Sequence, residues 1–359
     1  MELFDFKSLP VNEWPASDRK VWEAACVKKS PFKPAGLAAK WSDATRKNIE
    51  RSYGTFLYWL KGQGQLCSDK TPAQRGTQQT FVGFMDAYEP GRAPLTVAAR
   101  LRDIAYMVRA QLPPDGHQWA TKIAHKLVNN AETFRAKHPR IVHPGELAEL
   151  GMALMERGSE ALSDQLRWGV VPFRDGLMIA ALAYRPLRVR NLLGMQLGST
   201  FFFDGERAHF RFEGSETKNG VTLEGDFPEV LTEPFAYYLK HVRPIYAERA
   251  VGADEGWLWL GRRGRCLTGV DVSTRVGKET EKHFGFRVNP HLFRDCAATA
   301  IAVSDSVNVG ITRDILGHTT LASSQKYYNQ ATGVAASRRF QSILAKLRGK
   351  KGDGDDQNS

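Results

Sequence analysis

The sequence predicts a mainly helical α+β protein with one small antiparallel sheet. Apolar residues recur at helical spacing through most of the chain, whereas aromatic and β-branched residues alternate with polar ones only across 200–231. Prolines and basic residues then cluster between two helical stretches, at 137–144. With 359 residues the chain has room for two domains, each with its own core.

The helices are justified one at a time. Segment 42–64 opens with Ser42 as an N-cap and sets Ile49, Tyr53, Phe56, Leu57 and Leu60 on one face before Gly62. Segment 95–112 repeats the pattern with Leu101, Ile104, Ala105 and Val108, and Pro113-Pro114 ends it; 118–137 reads as a third helix. These make a helical domain over 42–137, with residues 1–41 as an extension whose Trp14 and Trp22 suggest packing on that domain rather than a free arm. The run KHPRIVHP supplies an extended basic linker at 138–144. A second domain, 145–346, begins with helical patterns ending in the apolar run 176–184. Hairpin dipeptides Asp204-Gly205 and Asn219-Gly220 follow, and helices resume near Pro234. The polar, Gly-rich end at 347–359 reads as a disordered tail.

Composition narrows the function. A hydrophobic share of 42% with 25% charged residues is ordinary for a globular protein, and the longest apolar runs are too short to cross a bilayer, so no membrane association is expected. The N-terminus has no secretory signal, and four scattered cysteines suit a reducing cytosol. A net charge of +11 favours a polyanionic partner, nucleic acid first. Charge alone fits a merely basic soluble protein equally well.

Motifs decide between these. Arg188, in RPLRVRNLL, opens a helix anchored by Leu192, Leu193 and Leu197; Lys218 lies at a hairpin turn; His291 and Arg294, at i and i+3 in PHLFR, share a helical face. His318 lies in LGH, ahead of the doublet Tyr327-Tyr328. Each alone is most simply a surface or packing residue. In this order they are the groups that metal-free attack on a phosphodiester needs. Two guanidiniums clamp the phosphate, imidazoles share protons, a lysine protonates the leaving oxygen and a tyrosine is the nucleophile. No metal-ligand spacing and no phosphate-cradling glycine loop is present, so no cofactor is expected.

Carried by these motifs, residues 145–345 resemble the catalytic domain of the tyrosine recombinases, the phage integrase family. The resemblance assigns catalysis to Arg188, Lys218, His291, Arg294, His318 and Tyr327, the last because the family's nucleophile lies nine positions beyond the final histidine. The helical part is similar to the family's core-binding, SAM-like domain. Two positions depart from the family pattern: Asn191 stands where Glu is frequent, and Asp295 where a second His is.

The resemblance implies a site-specific recombinase or integrase that cuts and rejoins double-stranded DNA recombination sites through a 3′-phosphotyrosyl bond, without metal or ATP. It also implies integration or excision of a mobile element, a homotetramer in the synaptic complex, room for an accessory directionality factor, and a cytoplasmic, nucleoid-associated location. A C-terminal apolar stripe, Phe340, Ile343, Leu344 and Leu347, serves either a neighbouring protomer or its own domain. Arg46, Arg51, Arg100, Arg102 and Arg140 are candidate DNA contacts. The alternatives are a type IB topoisomerase-like relaxing activity and a non-catalytic architectural DNA-binding protein.

Overall fold

The computed structural model describes residues 4–31, 34–110, 118–130, 140–217 and 220–304. It is mainly helical with one three-stranded antiparallel sheet, as the sequence predicts. Lys218, His318, Tyr327, Tyr328, the C-terminal stripe and the tail lie outside the described residues. The chain divides into two compact units, Met1–Ala136 and Lys137–Ser359. No helix among the described residues is long and apolar enough to cross a membrane.

The first unit is built from α1 (Ala16–Cys26), α2 (Asp43–Gly62), α3 (Pro72–Arg75), α4 (Gln78–Tyr88), α5 (Pro94–Arg109) and α6 (Gln118–Asn130). Ser42 caps α2, its Oγ accepting the Thr45 N–H at 3.2 Å, and the expected apolar face of that helix is buried. Trp14 and Trp22 join the same core, Trp14 packing edge-on against Tyr53. Beneath them Asp18 is fully buried; it accepts the Tyr53 hydroxyl at 2.7 Å and pairs with the Arg75 guanidinium, which also donates to the Cys67 carbonyl. The ion pair joins α1 to α3 across 57 residues of chain, and the Tyr53 bond adds α2. Burial, reinforced by the Asp18 charge, pushes the Tyr53 phenol well above its usual range, so that hydroxyl stays a donor.

The second unit is organised on α7 (Pro144–Ser163) and α8 (Val170–Tyr184). Residues 177–182 of α8 are buried around the whole helix, which marks it as the central element. The two helices approach closely because glycines face each other: a Cβ on Gly151 would lie 2.7 Å from the Gly176 carbonyl, and one on Gly176 2.5 Å from that of Gly151. Residues 140–143 run into this unit, where Val142 donates its N–H to Cys296 Sγ and the His143 side chain caps α7.

After the short α9 (Val189–Leu193), strands β1 (Phe201–Phe203), β2 (Ala208–Phe212) and β3 (Leu223–Asp226) form the sheet in order, with Phe201 opposite Phe210 and Phe210 opposite Gly225. Phe201, Phe210 and Phe212 face the core, while His209 and Arg211 face outward. Both expected turn glycines have positive φ, +98° at Gly205 and +70° at Gly220. Neither turn has two residues, however. Asp204 accepts the N–H groups of Glu206 and Arg207 and widens the first to 204–207; a 3₁₀ turn with a capping box at Glu213 and Glu216 extends the second to 213–222. Likewise α9 stops at Gly194, whose N–H bonds to the Arg190 carbonyl, so Leu197 lies beyond it and bridges to Phe201.

Helix α10 (Thr232–Tyr237), a π turn at Tyr238–Val242 and α11 (Arg243–Ala247) cover the sheet. Helices α12 (Gly269–Phe284) and α13 (Pro290–Ser304) follow. Thr268 and Asp271 form a capping box at the start of α12. A buried network links α8 to α12: Arg174 holds Asp175 at 2.6 Å and the Leu260 carbonyl at 2.9 Å, and Asp175 takes Arg275 at 3.3 Å.

The α7–α8 contact leaves no room for a larger residue. Gly176→Val is expected to lower the urea midpoint of the second unit, costing about 2–3 kcal/mol through overpacking. An unchanged midpoint would show that the two backbones are free to separate.

Candidate active site

The site grows from the loop between α8 and α9. Arg185 follows the last turn of α8 and donates Nε to the Asp226 carbonyl at 2.7 Å, fastening the loop to the end of β3. Leu187 is buried, and Arg188 supplies the N-cap backbone of α9, its carbonyl accepting the N–H groups of Asn191 and Leu192. From the other side Arg294, buried on α13, donates Nη1 to the Pro186 carbonyl at 2.6 Å. This bond spans 108 positions of sequence. It places the segment carrying Arg188 against the helix carrying His291 and Arg294.

Helix α13 begins where the sequence predicts. Pro290 takes the first position, where its missing N–H costs nothing, and Asn289 Oδ1 accepts the Leu292 N–H at 3.1 Å. His291 is exposed on the first turn, while Arg294, Asp295 and Cys296 turn inward. Burial pushes the Cys296 thiol up to about 11 despite the Val142 N–H that it accepts. It is a packing residue, inert as a nucleophile near neutrality.

The two positions that depart from the family pattern are both buried. Asn191 lies on α9, one turn from Arg188, and its Nδ2 has no hydrogen-bond partner among the described residues. Asp295, next to Arg294 in the chain, is a buried carboxylate on α13.

Lys218 itself is not described, but the chain on either side of it is. The Thr217 hydroxyl accepts the Val221 N–H at 3.2 Å and lies 2.8 Å from the Val221 carbonyl. A Cβ on Gly214 would come 2.5 Å from the Gly220 carbonyl, so the loop is pinched at its base. At the outer face of the hairpin Arg211 pairs with Glu213 and Glu224.

Among the basic residues proposed to face DNA, Arg46 bonds the carbonyls of Ala38 and Ala39, and Arg100 bonds Tyr88 and Ser52. Arg102 pairs with Asp103 at 3.1 Å, Arg51 is exposed, and Arg140 is half-buried. Part of this set therefore holds the first unit together. Among the described residues no group of His, Cys, Asp and Glu is arranged to hold a metal ion.

What the structure brings together is the backbone segment of Arg188 and the helix of His291 and Arg294, and guanidinium and imidazole are side chains of the kind that bind phosphate oxyanions. Comparisons with known proteins point the same way. The chain is 32% identical over 205 residues to tyrosine recombinase XerC of Chromobacterium violaceum, which covers 56% of this chain and 64% of that protein. It is 29% identical over 155 residues to XerC of Mycobacterium sp. strain KMS, covering 43% and 48%. In sequence and in fold, this chain is similar to tyrosine recombinases. The fold likeness is to two structures of XerH site-specific recombinase bound to difH substrate, one a pre-cleavage complex and one, on a palindromic difH, a post-cleavage complex. Their TM-scores are 0.54 and 0.55 at 12% and 14% identity, and each match covers 92% of this chain and 99% of that one. No family model matches the chain. It spans less than two thirds of the length of the curated XerC relatives it matches.

The junction makes a stability prediction. Arg294→Met removes the bond to the Pro186 carbonyl and is expected to destabilise the protein by about 1–3 kcal/mol in urea unfolding. A second expectation follows from the thiols. At pH 8 the exposed Cys67 should react with a maleimide-type or disulfide reagent first and Cys296 last, and Cys296 reactivity should climb as pH rises toward 11. Early labelling of Cys296 would contradict its burial.

Proposed function

We propose that the chain is a site-specific DNA recombinase that cuts and rejoins strands through a covalent bond to Tyr327. The observation that carries the reading is the Arg294–Pro186 bond, because it gathers the segment of Arg188 and the His-x-x-Arg helix at one junction. The relatives support it: the curated ones are tyrosine recombinases, and the XerH site-specific recombinase neighbours are pre- and post-cleavage complexes with difH substrate.

In this mechanism the phenolic oxygen of Tyr327 forms a bond to the scissile phosphorus as the bond to the 5′ oxygen breaks. A phenol with a pKa of about 10 must lose its proton on the way, and His291, exposed at the start of α13, is the proposed acceptor. Arg188, Arg294 and His318 neutralise the charge that gathers on the non-bridging oxygens, and Lys218 gives its proton to the leaving 5′ oxygen. The product is a 3′-phosphotyrosyl ester and a free 5′-hydroxyl. Because the ester is retained, the hydroxyl of another strand reverses the step and reseals DNA without ATP or metal. Exchange between two duplexes takes four such sites, hence a tetramer on DNA. Movement of a mobile element is the biological role we attach to it, on the strength of the family resemblance.

Trapping on a nicked duplex tests the chemistry. In EDTA and without nucleotide, the wild type and Tyr328→Phe should form an adduct that survives denaturing electrophoresis, and Tyr327→Phe should form none. An adduct on Tyr327→Phe, or a requirement for metal, would overturn the mechanism. Relaxation of plasmid with no special site would instead favour the topoisomerase-like alternative.

A further inference from the structure

The turn Gly261–Arg265 lies in the second unit, between α11 and α12. It is closed by a 2.7 Å bond from the Gly261 N–H to the Arg265 carbonyl, and by a bridge between Leu260 and Cys266. Gly264, at a φ of +67°, presses against Ala250, where a Cβ would approach to 2.5 Å. The backbone is thus fixed without help from its side chains, and it presents three exposed arginines, Arg262, Arg263 and Arg265.

Among the described residues no carboxylate neutralises their charge. Arg174, Arg243, Arg275 and Arg287 each pair with a carboxylate, whereas the three arginines of the turn have no ion-pair partner among the described residues. The nearest acidic residues before them in sequence are committed elsewhere: Asp254 holds Arg243, and Glu255 accepts the Trp257 indole N–H at 2.6 Å. Three uncompensated guanidiniums on one tight turn repel each other and are retained at a cost unless a polyanion meets them.

The turn also flanks the candidate active site. Cys266 Sγ lies 3.6 Å from the Leu193 carbonyl at the end of α9, and Gly269, at the start of α12, faces Val189, the residue after Arg188. Helix α9 has five residues, about 7 Å of rise, so the turn and Arg188 stand at opposite ends of one short element.

We propose that Arg262, Arg263 and Arg265 form a second phosphate-binding surface, gripping the backbone of duplex DNA beside the phosphate held at Arg188 and Arg294. The inference rests on the DNA-acting reading above and adds a place of contact to it. The contacts are to phosphate, so they strengthen binding to any sequence and carry no base readout.

The test is the salt dependence of binding, measured by anisotropy on a labelled duplex of ~40 base pairs of arbitrary sequence. The full chain is compared with Arg262→Gln/Arg263→Gln/Arg265→Gln. A control of equal charge loss, Arg19→Gln/Arg207→Gln/Arg287→Gln, removes arginines already bonded to Asn12, Asp226 and Glu281. Each lost phosphate contact reduces the slope of log affinity against log salt by about 0.9. The turn variant should lose about 2–3 in slope and bind tenfold or more weakly at ~0.1 M salt, with an unchanged melting temperature, while the control keeps the wild-type slope. An unchanged slope in the turn variant, or an equal loss in the control, would overturn the inference and leave the recombinase reading standing. A wild type that does not retain duplex even at low salt would overturn both.

Discussion

The placement of the Arg188 segment against α13 depends on a hydrogen bond between a buried guanidinium and a main-chain carbonyl. Arg294 is nearly inaccessible, and taking a cation out of water costs several kcal/mol unless its donors are satisfied. The Pro186 carbonyl is well suited to the task, because a residue following α8 and preceding α9 belongs to neither helix and its oxygen is free to point at α13. That bond also holds the backbone two residues before Arg188. A structural debt of one arginine is settled by the loop that presents the other.

That loop is constrained from further directions. Arg185 anchors it to β3, Leu187 sinks into the core, and the start of α12 packs on Val189. The sheet, the central helix α8 and both late helices therefore meet at residues 185–189. Nearer the start of α8, the buried Arg174–Asp175–Arg275 network joins that helix to α12. A site that holds a phosphate with little reorganisation needs such support, because guanidiniums displaced by an ångström lose most of their value to a transition state.

Much of this was legible in the sequence, and the parts that were not share a cause. Ser42, the paired prolines after α5, Pro290 and the alternation through 200–212 are local signals, and the elements they mark fall where expected. The order of Arg188, His291 and Arg294 was readable as a motif. The carbonyl that joins them was not, because a main-chain oxygen leaves no mark in composition and its partner is 108 residues away. Asp18 and Arg75 were hidden for the same reason, as was the structural work of Arg46 and Arg100. The turn lengths were missed because Asp204 and Glu213 bond their own backbone and recruit residues beyond the glycine. The capping box of Thr268 and Asp271 was a local signal that went unread.

The central claim is that Arg188 and Arg294 act on one phosphorus as a unit. Groups that work together lose most of their effect when either is removed, whereas independent groups lose it multiplicatively. The decisive measurement is the single-turnover cleavage rate of Arg188→Lys, Arg294→Lys and the double variant on one suicide substrate at saturating protein. The account predicts that the double variant is slower than the worse single one by no more than about tenfold. A rate equal to the product of the two separate losses would contradict it.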